Sequence, residues 1–294
     1  AVLDPARYLE EKGFKITYLP VDPDGLIRLD QLQEAITQKT ILVSLMAANN
    51  EIGVLHPIQE VGKICKEKGI LFHVDAAQGC GKIPINVQEM GIDLLSLSAH
   101  KTYGPKGVGA LYVRNRSPRV QLSPLILGGR HEWGLRSGTL AVPGIVGMGK
   151  AFEIAGQELE TETKRVRSLR DKLFKGLSQL EGITLNGHLT KRLSGNLNLS
   201  FAGPTGETGP TGGAGVSGEA LMGQLKEIAV SAGSACSSES AKASHVLSAI
   251  GRSPEQIRSA IRFGIGRFTT EEEIDFVIEK VTEAVQHLRE KQPR

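Results

Sequence analysis

The sequence predicts an α/β fold: a large domain with a mainly parallel sheet, followed by a smaller α+β domain. Three observations lead there. Short, nearly wholly apolar runs at residues 40–45 and 70–74 have the makeup of strands buried on both faces. Amphipathic segments of helical length separate such runs, as in βαβ units. Past about residue 140 the character changes, and the alternation Leu197, Leu199, Phe201 predicts a sheet with one covered face.

The elements follow in order. A helical pattern opens the chain (Tyr8, Leu9, Lys12), residues 14–19 read as a strand, and 29–36 read as a helix. After the strand at 40–45, residues 57–68 form a helix with Pro57 near its start, where a missing N–H costs nothing. Strands are expected at 70–74, 92–97 and 109–113. A long charged helical pattern covers 144–180. Beyond it come strands at 183–185, 196–201 and 228–231, and helices at 218–226, 255–261 and 271–289. The domain boundary is placed at 154/155, giving a large domain of 1–154 and a small one of 155–294. In parallel sheets ligands sit beyond the carboxyl ends of the strands, so the residues just after each strand matter most.

Composition excludes several classes. A net charge of +3 is too small for an electrostatic clamp on nucleic acid. No apolar run reaches the ~18 residues of a membrane span. Three cysteines cannot build a disulfide framework, which fits a reducing compartment and a cytoplasmic protein. They show no C-x-x-C spacing and no paired histidines, so no metal site of the chain's own is expected. Glycine recurs at 203, 206, 209, 212, 215 and 218 with Pro204 and Pro210 between, a collagen-like period too short for a triple helix and read as a surface loop.

Three post-strand segments carry chemistry. Asp75 and Gln78 follow the strand at 70–74, Ser98, His100 and Lys101 follow the strand at 92–97, and Asn49, Asn50 and Glu51 follow the strand at 40–45. Singly, each has a bland reading: Lys101 snorkels to solvent, Asp75 caps a helix, and Gly104 and Gly107 make a turn. Together they supply what a lysine-bound pyridoxal phosphate requires: an amine, an acid for the pyridinium nitrogen, a donor for the ring oxygen, and hydroxyl or imidazole donors for the phosphate. Cys65 and Cys80 read as small buried hydrophobes. Cys236 does not, because residues 231–240 are a small, polar run with no apolar pattern, the setting of a reactive thiol.

Six stretches in order resemble the cysteine desulfurases, fold-type-I pyridoxal-phosphate enzymes of the class V aminotransferase family: Ala-Asn-Asn-Glu-Ile-Gly at 48–53, His-Val-Asp-Ala-Ala-Gln at 73–78, Ser-Ala-His-Lys-Thr-Tyr-Gly-Pro-Lys-Gly at 98–107, Arg-Ser-Gly-Thr at 136–139, Ser-Ala-Cys-Ser-Ser at 234–238 and Arg-Phe-Gly-Ile-Gly-Arg at 262–267. The setting of Cys236 is similar to the IscS/NifS-like branch that serves iron–sulfur assembly. The resemblance implies that Lys101 holds pyridoxal 5'-phosphate covalently and shuttles protons. Asp75 would face the pyridinium nitrogen, Gln78 the ring oxygen, and Ser98 and His100 the phosphate. Thr139 would reach the cofactor of a neighbouring subunit, which implies a homodimer. Asn50 and Arg262 would hold the substrate carboxylate, with Asn50 also beside the cofactor. The resemblance further implies that the Cys236 thiolate takes sulfur from L-cysteine as a persulfide, releases alanine, and passes the sulfur to an iron–sulfur scaffold or another acceptor. It also implies that Cys236 can be shared with a partner's iron–sulfur cluster. Relatives carry an upstream segment with a further phosphate cradle and a ring-stacking histidine, so this sequence reads as an N-terminally incomplete chain, and activity of this chain alone is open. Within the glycine period at 203–218, residues 203–215 read as an insertion. Selenocysteine lyase chemistry on the same fold, or an inactive remnant serving as an interaction domain, are the alternatives.

Overall fold

The computed structural model describes residues 2–116, 119–203, 215–232 and 243–291. The chain opens with helix α1 (Leu3–Glu11), then α2 (Leu29–Ala35), and enters the first sheet at β1 (Leu42–Met46). Helix α3 (Ile58–Lys68) returns the chain to β2 (Leu71–Asp75). β3 (Leu94–Ser98) and β4 (Gly109–Val113) complete a sheet ordered β1-β2-β3-β4. β1, β2 and β3 are parallel, with Met46 beside Asp75 and Asp75 beside Ser96, while β4 runs antiparallel. The mainly parallel sheet is thus as expected. Residues 14–19 are not a strand: among the described residues they have no strand partner, and Val21, just beyond them, makes an isolated bridge with Ile27.

Helix α3 shows why these residues fold as they do. Its exit is Gly69 in the left-handed region (φ 69°), and Lys66 and Lys68 lie in its last turn, where cations complement the helix dipole. Its Ile58, Val61, Ile64 and Cys65 are buried and pack with Phe72, Val74 and Leu95 of the strands. Each such fully buried aliphatic or aromatic side chain contributes roughly 1.5–3 kcal/mol.

Helix α4 (Val142–Leu177) crosses the 154/155 position without a break. The second sheet follows, from β5 (Ile183–Leu185), β6 (Asn196–Phe201), β7 (Ser231–Ala232) and β8 (Ala260–Gly264), all antiparallel, ordered β5-β6-β8-β7. Helices α5 (Gly218–Gln224), α6 (His245–Ala249), α7 (Pro254–Arg258) and α8 (Glu271–Glu290) complete the chain. α8 begins at a capping box between Thr270 and Glu273, and its Ile274, Val281 and Val285 join Leu173 and Leu177 of α4 in the core over β6 and β8.

Three expectations are corrected here. The helix expected at 255–261 ends at Arg258, and residues 260–264 are β8, a central strand. The strand expected at 228–231 is β7 at Ser231–Ala232. The sheet is covered on both faces at β6, all six of whose residues are buried. The polar face of β6 is satisfied by hydrogen bonds: Asn186 Nδ2 donates to Asn198 Oδ1 and Ser200 Oγ at 2.8 Å each, and Asn198 Nδ2 donates to the Glu51 carbonyl at 3.1 Å. A polar strand face buries where every group finds a partner. The partner here is the turn that follows β1, so the second sheet docks on the end of the first.

Candidate active site

The carboxyl ends of β1, β2 and β3 deliver the predicted residues side by side. After β1, Ala47 and Ala48 are fully buried and the chain turns at 49–53. The Asn49 Oδ1 accepts from Glu51 N (2.8 Å) and Ile52 N (3.0 Å), an Asx turn, and Gly53 N closes it onto the Asn49 carbonyl at 3.1 Å. This turn presents the Asn50 carbonyl to Arg262 of β8, whose Nη1 donates to it at 2.7 Å. Glu51 turns inward at 3% exposure and accepts from Ser244 Oγ at 2.6 Å. Burial raises the Glu51 carboxyl above its ordinary value, against the lowering effect of the Ser244 bond.

β2 ends at Asp75, whose Oδ1 accepts from Ala77 N at 3.0 Å, and Gln78 follows three residues on. β3 ends at Ser98, and a 3-10 turn over Ala99–Lys101 carries His100 and Lys101. Ser98 Oγ and His100 Nδ1 lie 3.0 Å apart. An acid, an amide, a hydroxyl, an imidazole and an amine therefore occupy two adjacent strand ends, with Arg262 facing them from the second sheet. Such a set can bind an anion, hold a cationic ring nitrogen and form a covalent bond through an amine.

Between the two sheets lies a cavity of about 240 Å³, lined among others by Asn50, Gln78, Lys82, Tyr103, Glu162 and Arg262. Asp75, Ser98, His100 and Lys101 stand at the strand ends and do not line it. Thr139 is exposed and does not line it either. Cys236, and most of the glycine-period stretch, lie outside the described residues. Cys65 is fully buried and Cys80 partly so, and burial pushes both thiols up to about 11. Among the described residues no group of three or more His, Cys, Asp or Glu side chains could hold a metal ion.

Sequence reasoning missed Lys82, Tyr103, Glu162 and Arg267. Tyr103 takes a left-handed backbone (φ 61°), and its hydroxyl accepts from Arg267 N at 2.7 Å while the Arg267 guanidinium sits 4.8 Å above its ring. Arg267 is also bound by Glu162 at 2.6 Å. Nothing local in the sequence pairs Tyr103 or Glu162 with Arg267. Lys82 did leave a signal: it follows the small residues Gly79, Cys80 and Gly81 on the turn that begins at Asp75.

The family described as aminotransferase class-V matches residues 1–277. A cysteine desulfurase IscS of Rickettsia bellii is 52% identical over 293 residues, which span 99% of this chain and 68% of that protein. Among solved structures, a NifS-like protein superposes with a TM-score of 0.85 at 40% identity, covering 97% of this chain and 72% of that one. A structure described as SspA in complex with cysteine matches with a TM-score of 0.73 at 36% identity, over 92% of this chain and 71% of its own.

Proposed function

The chain belongs to the aminotransferase class-V family, and on that premise we propose that it is a cysteine desulfurase, taking sulfur from L-cysteine and releasing alanine. One observation carries the reading. Arg262 of the second sheet docks at 2.7 Å on Asn50, at the sheet edge where the first sheet also delivers Asp75, Gln78, Ser98, His100 and Lys101.

That donor set fits pyridoxal 5'-phosphate, which when bound supplies the electron sink for breaking the substrate C–S bond. Lys101 would hold it through its amine and move protons at that nitrogen. Asp75 would keep the ring nitrogen protonated by opposite charge, and its bond to Ala77 N fixes the carboxylate in place. Gln78 would donate to the ring oxygen. The Ser98–His100 pair would hold the phosphate. Among the described residues Arg262 keeps donors uncommitted beyond its bond to Asn50, and it would take the substrate carboxylate, with Asn50. The Cys236 thiolate would accept the sulfur as a persulfide and hand it to an iron–sulfur scaffold or another acceptor protein.

We read residues 1–154 as the cofactor-binding unit and 155–294 as the unit carrying Cys236, with α4 crossing between them. The enzyme acts as a homodimer in this reading, with Thr139 serving the neighbour's cofactor. Leu125, Leu127 and Trp133 support it: they are 96%, 79% and 94% exposed near residues 136–139, an apolar surface suited to a second copy. Among the described residues no helix is long and apolar enough to cross a membrane. The low cysteine count supports a cytoplasmic setting.

The test is the visible absorption of the protein supplied with pyridoxal phosphate. A band that borohydride abolishes is expected, together with alanine release from L-cysteine. Both should vanish in Lys101→Ala. A reducible band surviving in that variant would assign the cofactor to another lysine and defeat the site proposed here.

A further inference from the structure

The cavity between the sheets has three charged lining residues, Lys82, Glu162 and Arg262. Glu162 is already committed: Arg267 Nη2 lies 2.6 Å from its Oε2, and both side chains are largely buried. The Lys82 backbone N–H donates to the Gly79 carbonyl at 2.9 Å, but its ammonium has neither a hydrogen bond nor an ion pair with any described residue. Arg262 spends one guanidinium N–H on the Asn50 carbonyl, and among the described residues its other guanidinium donors have no partner. Two half-buried cations thus share one cavity, and no described residue supplies a free anion between them. Buried charge without a partner is costly, and such a cavity is complementary to a small anion.

Burial lowers the Lys82 ammonium below the ordinary lysine value, Lys101 and Arg262 lower it further by repulsion, and Glu162 opposes them. Lys82 therefore stands within electrostatic reach of both the amine of the post-β3 turn and the guanidinium of β8. An anion bound between Lys82 and Arg262 relieves both repulsions at once.

We propose that Lys82 is a second cation of the substrate-carboxylate site, acting with Arg262 to hold the α-carboxylate of the amino-acid substrate. The inference rests on the reading of this cavity as the amino-acid site. Arg262 approaches from the second sheet and Lys82 from the turn after β2, so a carboxylate held by both ties the two sheets together across the cavity. Each contributes a charge-assisted hydrogen bond.

The test compares equilibrium binding of L-alanine and L-alaninamide by titration calorimetry, using the protein loaded with pyridoxal phosphate. The two ligands share the amine and the methyl group and differ at the carboxylate. In Lys82→Met, L-alanine should bind roughly tenfold more weakly and L-alaninamide unchanged. Lys82→Arg should restore alanine binding to within about threefold. The KM for L-cysteine should rise in Lys82→Met with kcat nearly preserved. Unchanged alanine binding in Lys82→Met overturns the proposal. So does equal weakening of both ligands, including through a folding defect that Lys82→Arg does not share, and so does loss of cofactor retention, which would assign Lys82 to the phosphate. Failure of the unaltered protein to bind L-alanine at all would instead overturn the amino-acid-site reading beneath it.

Discussion

Replacing Gly53 with alanine should cost about 3 kcal/mol, and the structure separates that cost into two parts. Gly53 sits at φ +74°, and the left-handed region costs an L-residue roughly 1–2 kcal/mol. A Cβ there would lie 2.6 Å from Asn196 Oδ1 and 2.7 Å from its Cγ, so Asn196 must move. That side chain donates to the Glu51 carbonyl at 3.3 Å and accepts from Arg192 Nη2 at 3.4 Å, and two such bonds together contribute about 1–2 kcal/mol. Gly69 provides the control. It has nearly the same backbone, φ +69°, and a Cβ there would meet nothing within 4 Å, so Gly69→Ala should cost the backbone part alone, about 1–2 kcal/mol. Urea denaturation of both variants measures the difference. Gly53→Ala should also melt roughly 6–12 °C lower than the unaltered protein. Equal losses in the two variants would refute the claim that the turn after β1 is locked against Asn196, and with it the account of how Asn50 is held toward Arg262.

Two further predictions concern titrating groups. Cys65 and Cys80 are both pushed up to about 11 by burial, so at pH 8 only about one molecule in a thousand carries either as thiolate. Limiting iodoacetamide at pH 8 should therefore modify Cys236 first, and a fast phase that persists in Cys236→Ser would show that another thiol is the reactive one. His56 has a buried Nδ1 without a hydrogen-bond partner among the described residues, and burial lowers its pKa from 6.5 to about 4. Its folded value lies below its unfolded one, so between pH 6.5 and 4 the unfolded chain binds the extra proton, and stability present above 6.5 is lost as pH falls through that window. Going from pH 7.5 to 5.0 should cost about 2 kcal/mol through this group. Replacing His56 with leucine should remove that increment from the urea-denaturation difference, and an unaltered difference would acquit His56.

The sequence by itself determined the parallel strands, the Pro57 entry of the helix that follows β1 and the residues that follow each strand. Those features are local. An apolar run and a proline at a helix start each act within a few residues of themselves. Because β1, β2 and β3 are parallel, residues that follow them in sequence also share one edge in space, so Asn50, Asp75, Gln78, Ser98, His100 and Lys101 could be placed at that edge from the pattern alone. What required the tertiary structure was everything that depends on a distant partner. Residues 14–19 have a strand-like pattern but no ladder to join. β8 follows α7 after a single residue, so the run at 255–261 reads as one helix until β6 and β7 are seen flanking its second half. The polar face of β6 looks solvent-facing in isolation and is buried because the turn carrying Asn50 and Glu51 satisfies it. Glu162 and Arg267 are ordinary surface charges in the sequence, and Lys82 is marked there only by the small residues before it. Only the fold decided that Glu162 closes on Arg267 and leaves Lys82 facing Arg262 across the cavity, because ion pairing depends on distance in space, which sequence separation does not report.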